Sequence, residues 1–289
     1  MSDTTVVTVG VDGSAPSLAA LDWAARYANA RHVSLEVLVA VGWPGERPLY
    51  GGYRLAELKD AARVDGRTTL DRVLARVRAA VPTLPVEGRI SDEPAVRALL
   101  DAATFSELVV VGCRGLDPAV GVVLGSVSTA VSAHADCPVV VVRADRRPGP
   151  DAPVVVGIAG SDHDSATLEA AFAEADRWGA PLIVAHAWSD VTLLGVFGAA
   201  VAPSWIEARD HADVLVTRQV SEWRTKYPGV QVRTVMEREQ PARMLLSLSS
   251  DAGLVVVGSH GRGGFAGMVL GSVARRLVHH ADAPVLVVR

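Results

Sequence analysis

The chain repeats its own sequence over nearly all of its 289 residues. The stretch VVVGCRGLDPAVGVVLGSV at 109–127 returns 146 positions later as VVVGSHGRGGFAGMVLGSV at 255–273. Three further pairs keep the same order at offsets of 146 or 147: VTVGVDGS (7–14) with VVVGIAGS (154–161), EPAVRALL (93–100) with QPARMLLS (240–247), and HADCPVVVVR (134–143) with HADAPVLVVR (280–289). This repeat predicts two copies of one fold, each long enough to bury its own core.

The two copies predict two domains, 1–145 and 152–289. The join between them, ADRRPGPDAP at 144–153, is rich in proline and charge, as a short linker is. Hydrophobic residues make up 49% of the chain and aromatic residues only 5%, so the cores must be built from Ala, Val and Leu. That composition favours buried parallel strands and small-residue helix packing over a large all-β sandwich.

Charge and cysteine content narrow the class of protein. The formal net charge is −4, with acids and bases spread along the chain, so no basic surface for nucleic acid is expected. Two cysteines, Cys113 and Cys137, argue against a disulfide framework and for a reducing cytosol. The first ten residues lack the features of a signal peptide, and the longest uncharged apolar stretch, 191–206, is interrupted by glycine and proline. We therefore expect a cytoplasmic protein without a membrane segment.

Short β-rich runs alternate with helical stretches in each half. In the first half the predicted strands are TTVVTVGV, SLEVLVAV, LPVEGRI, ELVVVG and CPVVVVR. The first predicted helix follows the capping candidates Ser14 and Ser17. The second covers about 54–80, the third covers 94–104, and the fourth starts near Ser126. This alternation predicts a five-stranded, doubly wound parallel sheet between helices, and the second half repeats it.

The glycine-rich frame lies between the fourth strand and the last helix of each half. In an open parallel sheet, ligands bind beyond the carboxyl ends of the strands, where the strand order reverses. A helix beginning at Gly125-Ser126 offers unpaired N–H groups and the positive end of its dipole to an anion. Gly112 and Gly115 would let the backbone approach a phosphate, to which Ser126 and Ser128 could donate. The alternative, that these glycines only end a strand and cap a helix, is disfavoured because the whole frame occurs twice.

Two other nucleotide motifs do not fit. A P-loop needs a Gly-Lys pair, and the chain has none. The segment GRGGFA at 261–266 matches the loose dinucleotide pattern, but it lies in the last βαβ unit, and the candidate ribose acid Asp282 precedes the final strand. NAD is therefore not expected.

With these residues the chain resembles the universal stress protein family in its tandem form. The nucleotide-binding members of that family carry Gly-x2-Gly-x9-Gly-Ser/Thr, which both halves match. The family also has an aspartate after the first strand, in V-G-V-D-G-S, which corresponds to Asp12. The resemblance covers nearly the whole chain. It implies two tandem Rossmann-like domains that bind ATP, with or without Mg²⁺, and a contact between Asp12 and the adenosine part.

The candidate nucleotide-binding residues form one set in each half. In the first half they are Val11, Asp12, Gly13, Ser14, Val41, Gly112, Gly115, Gly125, Ser126, Val127 and Ser128. In the second half they are Gly258, Gly261, Arg262, Gly271, Ser272 and Val273. The resemblance also implies dimer formation through the last strand, which the two halves can provide for each other or a second copy can provide.

The halves depart from the family pattern in different places. In the second half the aspartate position is Ala159, and Ala274 replaces the hydroxyl of Ser128. Inside the glycine loop, Asp117 would place a carboxylate near the phosphates of the first half, whereas Arg262 would place a cation in the second. We expect unequal binding, with the first half the stronger site.

Three functions stay open from the sequence alone. The leading one is an ATP-binding regulatory protein in stress adaptation, because the chain lacks a Walker-type acid paired with a P-loop, a nucleophile elbow and an arginine-finger pattern. No catalytic residue is assigned. The second is a slow ATPase or nucleotidyl-transfer enzyme, with Asp117 as its only local carboxylate. The third is a nucleotide-free interaction scaffold. The expected partner is an adenine nucleotide, with neither nucleic acid nor membrane.

Two further features receive structural interpretations. Adjacent His279 and His280 point in different directions at a helix end, so no metal site is expected. Cys113 lies inside the glycine loop, where a small buried filler is favoured over a reactive thiol.

Overall fold

A computed structural model describes residues 5–42, 52–113, 125–143, 146–187, 205–260 and 270–289. The chain divides into two compact units, Met1–Asp145 and Arg146–Arg289. Each unit is an α/β domain with five parallel strands, which confirms the predicted fold class. Among the helices in these ranges, none is both long and apolar enough to cross a membrane.

The first unit follows the predicted alternation of strands and helices. Its strands are β1 (Val6–Gly10), β2 (Ser34–Ala40), β3 (Val86–Ser91), β4 (Leu108–Gly112) and β5 (Val139–Val142). Its helices are α1 (Ala15–Arg31), α2 (Gly52–Ala80), α3 (Ala95–Ala103) and α4 (Ser126–His134).

The second unit has the same series of elements. Its strands are β6 (Val154–Ile158), β7 (Leu182–Ala187), β8 (Val232–Glu237), β9 (Leu254–Gly258) and β10 (Val285–Val288). Its helices are α5 (Ser165–Trp178), α6 (Trp205–Lys226), α7 (Pro241–Ser249) and α8 (Ser272–His280), with a short 3₁₀ turn, Asp162–Asp164, before α5.

The strand order creates a crevice at the carboxyl edge of each sheet. In the first unit the order is β3-β2-β1-β4-β5, and in the second it is β8-β7-β6-β9-β10. In the first unit, β2 and β3 lie on one side of β1, whereas β4 and β5 lie on its other side. The loops after β1 and β4 therefore run in opposite directions, which leaves the ligand position expected for a doubly wound sheet between them.

Helices cover both faces of the first sheet, so the middle residues of its central strands are buried, including Thr8 of β1. Helix α1 contacts β1 and β4 and packs beside α2, whereas α3 contacts the same strands and packs beside α4. Val7 and Val9 of β1 are fully buried, as are Val109 and Val110 of β4. Continuous valine runs are typical of parallel strands that are buried on both faces.

Local signals set the ends of the first helix in each unit. The side chain of Ser14 caps α1 by accepting from the N–H of Ser17 at 3.3 Å, as predicted for a capping serine. At the other end, His32 closes α1 with φ 57° and ψ 38°, a left-handed conformation that favours glycine. The second unit has Gly179 at that place, with φ 58° and ψ 30°.

The residues just before β6 pack against the second unit. The guanidinium of Arg146 donates a hydrogen bond to the carbonyl of Ser250. A Cβ on Gly253 would lie 2.5 Å from the carbonyl carbon of Arg147, so only glycine fits there. The N–H of Gly253 in turn donates to the carbonyl of Pro153 at 2.9 Å.

Candidate functional site

The turn that follows β1 holds Asp12 on a well-bonded backbone. The N–H of Val11 donates to a carbonyl of β2 at 2.9 Å, which extends the strand pairing past Gly10. The Asp12 carboxylate accepts from the N–H of Ser14 at 2.9 Å, and the intervening Gly13 has φ 84°. The N–H of Asp12 donates to the Ser17 hydroxyl at 3.3 Å. The turn thus fixes a carboxylate at the carboxyl end of the central strand.

Two glycines bring this turn, the end of β4 and the start of α4 into contact. A Cβ on Gly112 would lie 2.7 Å from the carbonyl carbon of Pro16 and 2.9 Å from the nitrogen of Ser17. Gly125 has φ 52°, and a Cβ there would lie 2.6 Å from the carbonyl oxygen of Cys113. Packing within the protein therefore requires glycine at both positions, independently of any ligand.

The two serine hydroxyls in the first turn of α4, on Ser126 and Ser128, have different environments. Ser128 is 2% exposed and donates to the carbonyl of Gly125 at 3.0 Å. Its hydroxyl therefore bonds back to a carbonyl at the start of its own helix, which differs from the donation to a phosphate that the sequence suggested. Ser126 is exposed and Val127 is half-buried. The start of α4 therefore presents an exposed hydroxyl together with the N–H groups that an α-helix leaves without a partner inside the helix.

Val41 lies at the same edge, one residue beyond β2. Its N–H donates to the carbonyl of Ser91 at 2.8 Å, and its side chain is half-buried. A Cβ on Gly66 would lie 2.5 Å from Cγ1 of Val41, so α2 passes closely over this position. An apolar side chain therefore stands beside the crevice, next to the strand that carries Asp12.

The end of β9 in the second unit is packed less tightly. A Cβ on Gly258 would meet the carbonyl oxygen of His260 and the hydroxyl of Thr167, each at 3.1 Å. The N–H of Gly271 donates to the carbonyl of Ser259 at 2.7 Å, and Gly271 has φ −60° rather than a left-handed value. The two glycine frames therefore share a sequence pattern without sharing every backbone conformation.

Helix α8 begins at Ser272, which is exposed, and continues with half-buried Val273. Ala274, the counterpart of Ser128, is buried. Three candidate residues lie outside the described residues, as does Asp117, so their roles stay predictions: Gly115, Gly261 and Arg262.

The turn after β6 contains a residue that the sequence reasoning missed. Ala159 occupies the position that Asp12 has in the first unit, and the carboxylate that bonds to the backbone of this turn belongs to Asp164. Asp164 accepts from the N–H of Ala159 at 3.0 Å and from the N–H of Ser161 at 2.7 Å. The local signal was present, since serine followed three residues later by an acid is a capping-box pattern, and the structure forms that box.

The other sequence candidates lie apart from this edge or within the core. The rings of His279 and His280 are 6.2 Å apart and nearly edge-on. Within the described ranges, no three His, Cys, Asp or Glu side chains group closely enough to hold a metal ion. Cys113 and Cys137 are both buried and are not joined in a disulfide, which agrees with the interpretation of Cys113 as a small filler.

The fold and its edge together define the class of protein. It is a tandem pair of doubly wound α/β domains, each with a glycine-rich passage from the fourth strand to the last helix. A family model described as the universal stress protein family matches residues 4–143 and again 152–289. The chain belongs to that family, which confirms the resemblance in its sequence.

Relatives of the same length support this membership. The chain is 38% identical over 293 residues to a universal stress protein of Mycolicibacterium smegmatis, covering 98% of this chain and 96% of the relative. It is 37% identical over 299 residues to one from Mycobacterium tuberculosis, with 98% and 94% covered. A solved universal stress protein from Archaeoglobus fulgidus has the same fold, with a TM-score of 0.71, 20% identity, and 99% and 98% of the two chains covered.

Proposed function

We propose that the protein binds an adenine nucleotide, above all ATP, at the carboxyl edge of its first half. It acts as a regulatory protein that holds the nucleotide with little or no turnover. One observation carries the proposal. Gly112 packs against Ser17, whose hydroxyl bonds the backbone of Asp12, and Gly125 at the start of α4 packs against the residue after Gly112. A carboxylate and a helix N-terminus therefore lie at the same edge of the sheet. A nucleoside triphosphate needs both kinds of group, one for its base and sugar and one for its phosphates.

The phosphate end of the ligand fits the start of α4. The first N–H groups of an α-helix have no partner within the helix, and the helix dipole favours negative charge there. Ser126 adds an exposed hydroxyl at the same end. Since the Ser128 hydroxyl is engaged with Gly125, the backbone and Ser126 supply the contacts that we propose for the phosphates.

The nucleoside end fits the opposite side of the crevice. The Asp12 carboxylate is oriented by the Ser14 N–H and can accept from the hydroxyl or amino groups of adenosine. Val41 offers an apolar surface next to it, at the end of the neighbouring strand. A guanine base would present a different pattern of donors and acceptors, so we propose that ATP binds more tightly than GTP.

The first half is the stronger of the two sites in this proposal. A hydrogen bond to a charged group contributes about 1.5–3 kcal/mol, and its loss with Ala159 would weaken binding roughly ten- to a hundredfold. The hydroxyl that Ala274 lacks does not add to this difference, because its counterpart on Ser128 donates to the carbonyl of Gly125. The preference therefore depends on the turn after the first strand of each half.

A melting experiment on the nucleotide-stripped protein tests the proposal. At a hundred times its dissociation constant, ATP should stabilise the binding half by about 2.7 kcal/mol, and GTP should stabilise it less. Runs with and without Mg²⁺ show whether the metal ion binds with the nucleotide. No shift with millimolar ATP would contradict the proposal, and steady release of ADP would indicate an ATPase instead.

Calorimetry on Asp12→Ala locates the site. We expect ATP affinity to fall about ten- to a hundredfold while the fold is retained. Asp101→Ala is the matched control, because it removes an exposed carboxylate of α3 that pairs with Arg97, one turn earlier in the same helix. Unchanged affinity in Asp12→Ala would assign the tighter site to the second half.

A further inference from the structure

The two halves place the carboxylate of the turn after the first strand at different positions. The first half has DGSAPS at 12–17 and the second has AGSDHD at 159–164. The middle glycines, Gly13 and Gly160, have similar left-handed φ values of 84° and 71°. Both turns therefore carry a left-handed glycine at the same place, while the acid has moved from the first residue of the segment to the sixth.

In the first half, two side chains serve this turn. The Asp12 carboxylate accepts from the N–H of Ser14 at 2.9 Å. The Ser17 hydroxyl accepts from the N–H of Asp12 at 3.3 Å and donates to the carbonyl of Ser14 at 2.9 Å. The hydroxyl thus supports the backbone from the helix side, and the carboxylate belongs to half-buried Asp12, two residues beyond the end of β1.

In the second half, one side chain takes over both roles. Asp164 occupies the position of Ser17, and its Oδ1 accepts from the N–H of Ala159 at 3.0 Å. Its Oδ2 accepts from the N–H of Ser161 at 2.7 Å, the same bond that Asp12 makes in the first half. Asp164 is 7% exposed. Both carboxylate oxygens are therefore bound to the backbone of the turn and shielded from the crevice.

A second contact closes the same turn from the side of α6. The Gln219 amide donates to the carbonyl of Ser161 at 2.6 Å, and its own buried oxygen has no hydrogen-bond partner among the described residues. In the first half, Arg72 is the residue of α2 that reaches the equivalent turn. A guanidinium nitrogen of Arg72 lies 3.0 Å from the position of a Cβ on Gly13, so both helices pass over the turn. In the second half the helix also bonds to the backbone of the turn, through Gln219.

We infer that the position of Ser17 and Asp164 determines which half accepts an adenine nucleotide. Serine at this position leaves the carboxylate at Asp12, where a nucleoside can reach it. Aspartate at this position closes the turn on itself and leaves the second half without a carboxylate for the ligand. This inference rests on the proposed function of the first half, and it names a determinant other than the simple loss of the acid at Ala159.

The inference predicts that restoring the missing aspartate alone does not restore binding. With Ala159→Asp, two carboxylates would compete for the single N–H of Ser161, and the buried Asp164 already holds it. Like charges within one turn also repel each other. Only the double change Ala159→Asp with Asp164→Ser reproduces the arrangement of Asp12 and Ser17.

Isothermal calorimetry with ATP on the full-length chain tests this. Every variant carries Asp12→Ala, so that the first half binds weakly, and the second half carries no change, Ala159→Asp, Asp164→Ser, or both. We expect the combined variant to bind ATP at least about tenfold more tightly than the other three. Equal restoration by Ala159→Asp alone, or no gain in the combined variant, would overturn the inference. Circular dichroism and melting confirm that each variant is folded.

The reverse change in the otherwise wild-type chain gives a second test. Ser17→Asp should weaken ATP binding about tenfold or more without loss of fold, because the second half already folds with aspartate there. Ser17→Ala is its control, since it removes the hydroxyl without adding a carboxylate. Equal affinity in Ser17→Asp and the wild type would overturn the inference. A wild-type chain that binds no ATP would instead contradict the proposed function, from which this inference starts.

Discussion

Replacing Gly112 with alanine should destabilise the first half, because its packing leaves no room for a methyl group. The new Cβ would lie 2.7–2.9 Å from three backbone atoms of Pro16 and Ser17. These atoms belong to the first turn of α1, which the Ser14 cap holds in place. Backbone atoms can move away only if the start of the helix moves with them.

Gly258 provides the matched comparison at the end of the equivalent strand. Its nearest atoms, on His260 and Thr167, would be 3.1 Å from the new Cβ, and the threonine side chain can rotate. Neither glycine has a left-handed φ, so alanine is compatible with the backbone at both positions. In both cases the substitution also restricts the unfolded chain, which stabilises the fold by about 0.4–1 kcal/mol. This contribution cancels in the comparison.

The expected sizes follow from the packing. Overpacking of a dense region costs about 1–3 kcal/mol, which leaves a net loss of about 1–2 kcal/mol for Gly112→Ala after the unfolded-state contribution. Gly258→Ala should change the free energy of unfolding by no more than about 0.5 kcal/mol. At roughly 2–4 °C per kcal/mol, the first variant should melt about 2–8 °C lower.

Differential scanning calorimetry measures these shifts, and amide hydrogen exchange followed by mass spectrometry assigns the loss to the peptides of α1. Equal losses in both variants, or none at Gly112, would refute the packing argument. A Gly112→Ala protein of normal stability that no longer binds ATP would show that the ligand, rather than helix α1, requires glycine there.

Three further predictions concern individual residues. His32→Gly should raise the free energy of unfolding by about 1 kcal/mol, and Gly179→Ala should lower it by a similar amount in urea titrations, because both positions are left-handed. Ser132 is 1% exposed and its hydroxyl has no hydrogen-bond partner among the described residues. Ser132→Ala should therefore raise the free energy of unfolding by about 1 kcal/mol, which is measured as a higher melting temperature. The Arg63 guanidinium hydrogen-bonds Asp92 and lowers the pKa of its carboxyl. That pair therefore stabilises the fold at pH values above the ordinary aspartate pKa of 3.8, and the stabilisation is lost as the pH falls through the lowered pKa of Asp92. Arg63→Ala should raise the pKa of Asp92, which an NMR titration measures.

Each of these predictions has a result that would contradict it. A loss of stability in His32→Gly would mean that the imidazole makes contacts worth more than the relief of backbone strain. A lower melting temperature for Ser132→Ala would indicate that the hydroxyl is satisfied, for example by a water molecule. An unchanged Asp92 titration in Arg63→Ala would show that this exposed pair does not persist in solution.

The fold could be predicted because its signals are local and occur twice. Valine runs marked the buried strands, Ser14 marked the start of α1, and the alternation of elements implied parallel pairing. The second copy supplied an independent reading of each element. Duplication therefore removed much of the ambiguity of a single sequence.

The site was harder to predict because its decisive contacts link distant positions. Position 112 must be glycine because a side chain there would collide with the backbone of Pro16, nearly a hundred residues earlier in the sequence. The hydroxyl of Ser128 looked available for a ligand, yet it donates to Gly125 within its own helix. Asp164 was predictable from its capping pattern. A comparison of equivalent positions shows the aspartate that is lost at Ala159, but the aspartate that replaces its bond lies five residues later, at Asp164.

The packing of the residues before β6 decides where the second half can be separated from the rest. Arg146 and Arg147 contact Ser250 and Gly253, so a polypeptide that begins at residue 146 keeps these contacts. One that begins at 152, where the sequence repeat starts, would expose the backbone around Gly253 to water and to proteases. The segment whose composition indicates a linker therefore packs as part of the half that follows it.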